Sequence, residues 1–263
     1  MKQGRIPDYS VTGEGRTTVF LLHGAFGAKE YWRSQLDEFS ARGYRVVAWD
    51  APGYGLSPLP GDFSAESSAE ALVRLLELTG SERNVVIGHS FGGMIAQRAF
   101  DYLPDRIHGL VLSATSAAFG NLQGEWQQKF ISDRVAPLDA GKTLAQFAPG
   151  MLRGMMSRDA AGEPVELVVR IVSQMKPETF RAAVAAVTRF DARAVLSRMN
   201  IPVLCIAGEF DQTAPAVVME KLAGKIKDAE FVCLNGTGHF GWAEAPGEFN
   251  KVVLDFLHRR LPA

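Results

Sequence analysis

The sequence has little cysteine, almost no net charge and no long apolar run. Cys205 and Cys233 are its two cysteines, too few for a disulfide scaffold or a closed zinc site, and each stands in an apolar run, so we expect free thiols. Lys and Arg total 28 against 29 Asp and Glu, which leaves no positive excess to bind nucleic acid or an anionic membrane surface. No segment approaches the roughly 18 consecutive apolar residues of a spanning helix, and the N-terminus lacks the apolar stretch of a secretory signal. The sequence therefore predicts a cytoplasmic protein with no nucleic acid or membrane partner.

What is present is the composition of an ordinary globular protein, with 47% hydrophobic and 22% charged residues in 263. Strand-length apolar runs alternate with helix-length segments, which predicts βαβ units around a mostly parallel sheet covered by helices on both faces. The predicted strands are Thr18–Leu22, Tyr44–Trp49, Asn84–Ile87, Leu110–Ser113, Val203–Ala207 and Glu230–Leu234. The predicted helices are Glu30–Arg42, Ser64–Thr79, Phe91–Tyr102, Ala214–Ile226 and Pro246–Leu261. In Ser64–Thr79 the apolar residues, Ala71, Leu72, Leu75, Leu76 and Leu78, are expected to form one inward stripe.

The alternation is interrupted once, between the fourth and fifth predicted strands. That interval has helical patterns but no strong strand pattern, and turn signals stand at Ala136–Pro137, Pro149–Gly150 and Gly162–Pro164. We therefore expect one α/β core formed by residues 1–116 and 191–263, with residues 117–190 as a helical cap over the sheet.

Reactive residue types follow several of the predicted strands. Ligands of an open parallel sheet bind at the carboxyl ends of its strands, so the loops there are the expected position of a site. GHSFG, residues 88–92, is a G-x-S-x-G pattern between a strand and a helix, where a strained turn projects the serine hydroxyl. This predicts Ser90 as a nucleophile, and the alternative is a turn serine that caps the following helix.

A serine nucleophile needs a base, and the base needs a carboxylate that orients it. His239 is the expected base because it follows a late strand in a Gly-rich loop, unlike His23, His89, His108 and His258. Asp211 stands 28 residues before His239, enough for one helix and one strand, and is the expected carboxylate. Glu209 is the local alternative. For the oxyanion, the backbone N–H of Phe91 and that of Ala25, or failing it Phe26, are the expected donors.

Five segments in order carry a resemblance to a known family: LLHGAFG, VVAWDAPGYGLS, VIGHSFGG, LCIAGEFDQTAP and NGTGHFGWAEAP. Over nearly its whole length the chain resembles the α/β-hydrolase superfamily, within it small bacterial carboxylesterases, 3-oxoadipate enol-lactonases and meta-cleavage-product hydrolases. The resemblance implies the α/β-hydrolase fold and a Ser-His-Asp triad. Ser90 replaces the aspartate of the epoxide hydrolases and haloalkane dehalogenases of this fold. His89 and Phe240 depart from the short polar residue and the tryptophan usual in the carbon–carbon bond hydrolases.

The resemblance and the residues together predict a serine hydrolase of a small carboxylic ester or (enol-)lactone that needs no metal or organic cofactor. The alternatives are a carbon–carbon bond hydrolase, a small-molecule receptor without turnover, and a cofactor-free oxygenase on the same fold. Phe26, Met151 and Trp242 are the expected pocket residues, and the alternative for Trp242 is packing against Phe249 in the final predicted helix. An acidic substrate would bind a cap arginine, the candidates being Arg153, Arg158, Arg170, Arg181 and Arg189. The sequence does not indicate an oligomeric state.

Overall fold

Within residues 5–261, which the computed structural model describes, seven strands form one sheet. The strands are β1 (Tyr9–Thr12), β2 (Thr17–Leu22), β3 (Arg45–Trp49), β4 (Arg83–His89), β5 (Gly109–Ser113), β6 (Val203–Gly208) and β7 (Ala229–Leu234). Their order is β1-β3-β2-β4-β5-β6-β7, and every neighbouring pair is parallel except the antiparallel pair of β1 and β3. All six predicted strands are confirmed. Residues 1–4 and 262–263 of the predicted core lie outside the described residues.

Helices lie between the strands. They are α1 (Arg33–Ala41), α2 (Ala65–Thr79), α3 (Phe91–Tyr102), α4 (Glu125–Asp139), α5 (Leu144–Arg153), α6 (Glu163–Ser173), α7 (Pro177–Thr188), α8 (Arg193–Leu196), α9 (Ala216–Ala223), α10 (Gly241–Glu244) and α11 (Pro246–Arg260). Short 3₁₀ turns cover Lys29–Trp32 and Pro104–Arg106. No helix in residues 5–261 is long and apolar enough to cross a membrane.

The helix α2 follows its sequence pattern with one exception. Ser64 caps it, since its hydroxyl accepts from the N–H of Ser67 while the Ser67 hydroxyl accepts from the N–H of Ser64. The predicted inward stripe is buried except for Leu78, which is 59% exposed. Leu78 follows Leu75 and Leu76 by three and two positions, and this places its Cβ at the edge of the buried face, turned toward solvent.

The sequence prediction missed β1. This strand is four residues long, lies at the edge of the sheet and is half-buried or exposed along its length. An edge strand with one partner needs no continuous apolar run, so its sequence, YSVT, carries little signal.

Four helices, α4 to α7, occupy the segment between β5 and β6 that was predicted as a cap. We call residues 117–190 the cap. Its two ends meet at its base, where the Phe119 N–H donates to the Phe190 carbonyl at 3.0 Å and the Ala192 N–H to the Ala117 carbonyl at 2.7 Å. The division of the chain at residues 117 and 190 itself stays a prediction.

Two of the three turns predicted in the cap are wrong. Pro137 lies inside α4 and Pro149 inside α5. A proline removes one helical hydrogen bond and leaves the carbonyl four residues earlier without its donor. These carbonyls belong to the exposed residues Asp133 and Ala145, where water can satisfy them, so the helices continue. The third signal is confirmed, because Gly162, with φ of 106°, directly precedes α6.

The strand order creates a crevice between β2 and β4. From β2 the chain proceeds to β3 on one side, and then returns to place β4 on the other side of β2. The loops after β2 and β4 therefore leave the sheet in neighbouring positions, with Leu22 paired to Gly88. Such a switch point is where ligands bind in open α/β sheets. Farther along, the two cysteines lie on the neighbouring strands β6 and β7 as free thiols, as predicted.

Candidate active site

Ser90 forms a strained corner between β4 and α3. Its backbone has φ of 52° and ψ of −117°, and it is one of two non-glycine residues with positive φ among residues 5–261. Hydrogen bonds hold this conformation: the Ser90 N–H donates to the Ser113 carbonyl at 2.8 Å, and the Thr115 hydroxyl donates to the Ser90 carbonyl at 2.7 Å. The Ser90 side chain makes no cap hydrogen bond to α3. Ser90 is therefore not the helix-capping serine of the alternative interpretation.

Glycines make room for this corner. A Cβ on Gly88 would lie 2.4 Å from the Gly92 carbonyl oxygen, and one on Gly92 would lie 2.3 Å from the Leu22 carbonyl oxygen. Both contacts are with backbone, which cannot move aside as a flexible side chain can. The two glycines of the pattern are thus required by the close approach of β4, α3 and the loop after β2.

His239 and Asp211 form a buried pair in the loops after β7 and β6. The His239 Nδ1 lies 2.8 Å from the Asp211 Oδ2, and the two side chains are 3% and 0% exposed. The other oxygen of Asp211 accepts from the N–H of Thr213 at 2.7 Å and of Ala214 at 3.0 Å. A carboxylate only accepts, so Nδ1 carries the proton and Nε2 of the neutral ring is free to accept another.

The environment keeps Asp211 ionised. Burial by itself would raise the pKa of its carboxyl, but the electrostatic interaction and hydrogen bond with His239 and the two backbone N–H donors outweigh burial and lower the pKa below its ordinary value. Glu209, the alternative carboxylate, is exposed and accepts from the Gly236 N–H at 2.8 Å. The structure therefore places Asp211, and not Glu209, beside His239.

Glu244 holds the loop that carries His239. One of its oxygens accepts from the N–H of Phe240 at 2.9 Å, and the other from the N–H groups of Gly238 at 2.9 Å and Ser157 at 2.8 Å. The His239 N–H itself donates to the Met155 carbonyl at 2.8 Å. Glu244 thus ties both neighbours of His239 to each other and to the cap. Sequence reasoning missed this residue, although its place in GHFGWAE, five residues after His239, is the available signal.

We expect Glu244→Gln to lower kcat by about 10- to 100-fold with little change in KM, since small displacements of a reacting group cost this much. Three N–H groups donate to the two carboxylate oxygens of Glu244, whereas the glutamine amide has only one acceptor oxygen. The loop therefore loses charge-assisted hydrogen bonds. Steady-state kinetics and the melting temperature should be measured together. Glu248→Gln, an exposed change at the start of α11, is the matched control. A lower melting temperature with unchanged kcat would mean that Glu244 only stabilises the fold.

The loop after β2 offers the predicted oxyanion donors and is held rigidly. The Gly24 N–H donates to the Tyr31 hydroxyl at 2.7 Å, and the Tyr54 hydroxyl donates to the Ala25 carbonyl at 2.9 Å. The buried His23 accepts from the Ala51 N–H at 3.0 Å through Nε2, so its ring joins this loop to the loop after β3.

Phe91 lies across the crevice from that loop. As the first residue of α3, it has an amide N–H with no acceptor within the helix. Ala25 and Phe26 both line the cavity beside Ser90, so the choice between their N–H groups stays open.

The side chain of His89 packs against that of His239. It is buried, with its ring centroid 4.9 Å from that of His239. Burial first, and then the neighbouring imidazoles, lower the pKa of His89 well below its ordinary value, so its ring is neutral. His89 therefore packs against the candidate base and adds no charge to it.

Ser90 and His239 line one cavity of about 50 Å³ beneath the cap, together with Ala25, Phe26, Phe130 and Arg134. Of the three predicted pocket residues, Phe26 lies in its wall. Met151 lines a neighbouring open groove of about 880 Å³ instead. The prediction for Trp242 is wrong, because this side chain is 1% exposed and stacks on Tyr31 at 4.1 Å between ring centroids. A single-turn helix, α10, turns it into the core.

Comparison with known proteins gives the family of this fold. A family model described as alpha/beta hydrolase fold matches residues 17–246. The chain is 28% identical to a 2-hydroxy-6-oxononadienedioate/2-hydroxy-6-oxononatrienedioate hydrolase of Dechloromonas aromatica, with 95% of this chain and 89% of the relative covered. It is 24% identical to 3-oxoadipate enol-lactonase 2 of Acinetobacter baylyi, with 96% and 93% covered.

Among solved structures, the chain is similar to a thermophilic esterase from Thermogutta terrifontis, determined with malate bound. The identity is 26%, the TM-score is 0.84, and 96% of this chain and 93% of that one are covered. The resemblance stated from the five motifs is confirmed by these matches.

Proposed function

The chain belongs to the α/β-hydrolase fold family, and from this we propose that it is a serine hydrolase that cleaves a small carboxylic ester or lactone through an acyl-enzyme. The observation that carries the proposal is the buried His239–Asp211 pair at 2.8 Å, with His239 and the strained Ser90 in the wall of one cavity. A nucleophile, a base and an orienting carboxylate on three loops are the set that acyl transfer requires.

In the first half-reaction the Ser90 Oγ attacks the ester carbonyl carbon, and His239 Nε2 takes the hydroxyl proton. The carbonyl oxygen becomes an oxyanion, which the N–H groups of Phe91 and of Ala25 or Phe26 stabilise. Asp211 stabilises the imidazolium through Nδ1–H. The bond to the alkoxide then breaks, His239 protonates the leaving oxygen, and the acyl group stays on Ser90.

In the second half-reaction water replaces the alcohol. His239 takes a proton from the water, the resulting hydroxide oxygen bonds to the acyl carbon, and the same N–H groups stabilise the second oxyanion. Collapse releases the carboxylic acid and returns the proton to Ser90. These steps use side chains and backbone of the chain together with water, and we expect no metal or organic cofactor to take part.

Hydrolysis of a carbon–carbon bond is the second candidate. It is favoured by the resemblance of the motifs to meta-cleavage-product hydrolases and by the similarity to the Dechloromonas aromatica protein, which is named a 2-hydroxy-6-oxononadienedioate/2-hydroxy-6-oxononatrienedioate hydrolase. His89 before the serine and Phe240 after the histidine are both buried against His239, and they depart from the residues usual in that subclass. The ester or lactone reaction is therefore the first choice.

The test is a burst experiment with p-nitrophenyl acetate and p-nitrophenyl butyrate. We expect rapid release of about one equivalent of p-nitrophenolate per active site, as acyl-enzyme accumulation produces, and mass spectrometry should locate the acyl group on Ser90. An acyl group on another residue, or hydrolysis with no adduct and no burst, would contradict the proposal. If there is no burst and no adduct, and wild type and Ser90→Ala release p-nitrophenolate at equal rates, the receptor and non-hydrolytic alternatives come first.

A further inference from the structure

Arg134 of α4 stands in the wall between the catalytic cavity and the open groove on the cap. It is 6% exposed and lines both spaces. The two spaces also share Trp126, Phe130, Met155 and Thr213. The cavity of about 50 Å³ admits only a few non-hydrogen atoms, whereas the groove measures about 880 Å³. A substrate too large for the cavity can therefore extend past Arg134 into the groove while its carbonyl reaches Ser90.

The guanidinium of Arg134 has no counter-ion among residues 5–261. Its Nη1 donates to the Phe130 carbonyl at 3.1 Å, and Nη2 lies 3.6 Å from the Met155 sulfur. It lies over the Phe130 ring at 3.7 Å, while its buried Nε has no hydrogen-bond partner. In the described part of the chain no carboxylate lies within 4.0 Å of it.

The cap arginines predicted from the sequence are engaged elsewhere. Arg153 pairs with Glu166, Arg170 with Glu163 and Arg181 with Asp139. Arg189 donates to the Phe63 carbonyl at 3.2 Å, and Arg158 is exposed. These five do not line the catalytic cavity. Arg134, which does line the cavity, was not predicted. The sequence of its helix, EWQQKFISDRVAPLD, does not indicate which face of the helix lies toward the cavity.

Arg134 stays charged despite its burial. Burial lowers the pKa of its guanidinium to about 10, against a small opposing effect of Asp133, so the cation persists at neutral pH. A buried and unpaired cation is costly unless a partner offsets it. The groove supplies no such partner, since Asp133 at its edge is paired with Lys129 at 2.8 Å and Lys142 adds positive charge.

The geometry points to a substrate carboxylate as the missing partner: Arg134 binds the carboxylate of an acidic ester or lactone and holds its carbonyl against Ser90. A planar guanidinium matches a carboxylate with two parallel hydrogen bonds, for which the free Nε and an adjacent Nη supply the donors. This inference rests on the proposed function and deepens it, because it names the substrate class.

The test compares acidic substrates with their neutral methyl esters. In one pair the carboxylate lies on the leaving-group side of the scissile bond, and in the other it lies on the acyl side. The first pair is 4-acetoxybenzoate and methyl 4-acetoxybenzoate, and the second is mono(4-nitrophenyl) adipate and its methyl ester. We expect wild type to prefer the acid in at least one pair. Arg134→Met should raise KM for that acid by about 10- to 100-fold, because the variant loses charge-assisted hydrogen bonds to the carboxylate. It should change kcat/KM for the neutral ester by less than about threefold.

Arg134→Lys should keep part of the preference, because it keeps the charge and loses the planar fork. Arg181→Gln, a change at a half-buried residue of the same cap that does not line the catalytic cavity, should leave both substrates unaffected. Wild type itself offers a measurement that does not depend on the folding of a variant: benzoate should inhibit competitively at least about 10-fold more strongly than benzamide.

Three results separate this inference from the proposed function. If wild type hydrolyses these esters through Ser90 but Arg134→Met affects acid and neutral esters equally, the carboxylate site is wrong and the proposed function stands. Equal inhibition by benzoate and benzamide would overturn the site in the same way. If wild type and Ser90→Ala hydrolyse none of the four esters, the proposed function fails first.

Discussion

Replacing Ser90 with alanine is expected to lower kcat for ester hydrolysis by about 10⁴-fold or more, as loss of the nucleophile does in other serine hydrolases. The variant has no oxygen to form the acyl-enzyme, so only the oxyanion donors and substrate binding remain to assist direct attack by water. KM should change little, since alanine keeps the Cβ of Ser90 in the cavity wall and removes only the reacting hydroxyl.

The fold should tolerate this change. Ser90 has a positive φ, which is strained for serine and alanine alike, so the substitution leaves the backbone strain unchanged. The Ser90 hydroxyl makes no cap hydrogen bond that the variant would lose. Ser116→Ala is the matched control, because Ser116 lines the same cavity and donates to the Ala118 carbonyl. It should lower kcat by less than about tenfold, in line with the modest effects of changes away from the reacting atoms. Near wild-type turnover in Ser90→Ala would exclude Ser90 as the nucleophile.

Asp211→Asn is expected to lower kcat by about 10⁴-fold while leaving the fold intact, the effect of the equivalent change in other triads. Two backbone N–H groups, of Thr213 and Ala214, point at one oxygen of Asp211, so the asparagine oxygen must take that place. Its amide nitrogen then faces His239. As a donor it forces the proton of the neutral ring onto Nε2, where it blocks acceptance of the Ser90 proton.

The matched control is Glu209→Gln, an equal loss of charge two residues away on the same loop. Because Glu209 accepts from Gly236 and does not contact His239, this variant should keep kcat within a few-fold of wild type. Steady-state kinetics of both variants, with melting temperatures, make the comparison. Equal losses in the two variants would mean that the loop needs negative charge but that Asp211 has no particular role as the orienting carboxylate.

The elements around the site follow from local patterns. Continuous apolar runs such as that of β6 are buried on both faces in any parallel sheet, so their strands could be placed to within a residue or two. Ser90 likewise could be found from GHSFG, because glycine is needed on both sides wherever a serine turns sharply from a strand into a helix. The strand β1 could not, since an edge strand needs no such run.

Other residues of the site depend on contacts between distant segments. Glu244 matters because its carboxylate reaches Gly238, Phe240 and the cap residue Ser157, and only the last contact links segments far apart in sequence. Trp242 is three residues from His239 yet belongs to the core, because α10 turns it toward Tyr31. The number of residues between Trp242 and His239 does not predict the direction in which a short helix orients its side chains.

By itself, the sequence determined the alternation of strands and helices, the order of Ser90, Asp211 and His239, and the position of the cap between two strands. These are properties of short segments, in which burial, turn geometry and chemistry act on neighbouring residues. The tertiary structure alone decided which arginine lines the cavity with Ser90, which carboxylate holds the loop of His239 and which cap prolines stay within helices. Each of these depends on how the faces of separate helices and loops are brought together, and on where water still reaches the backbone.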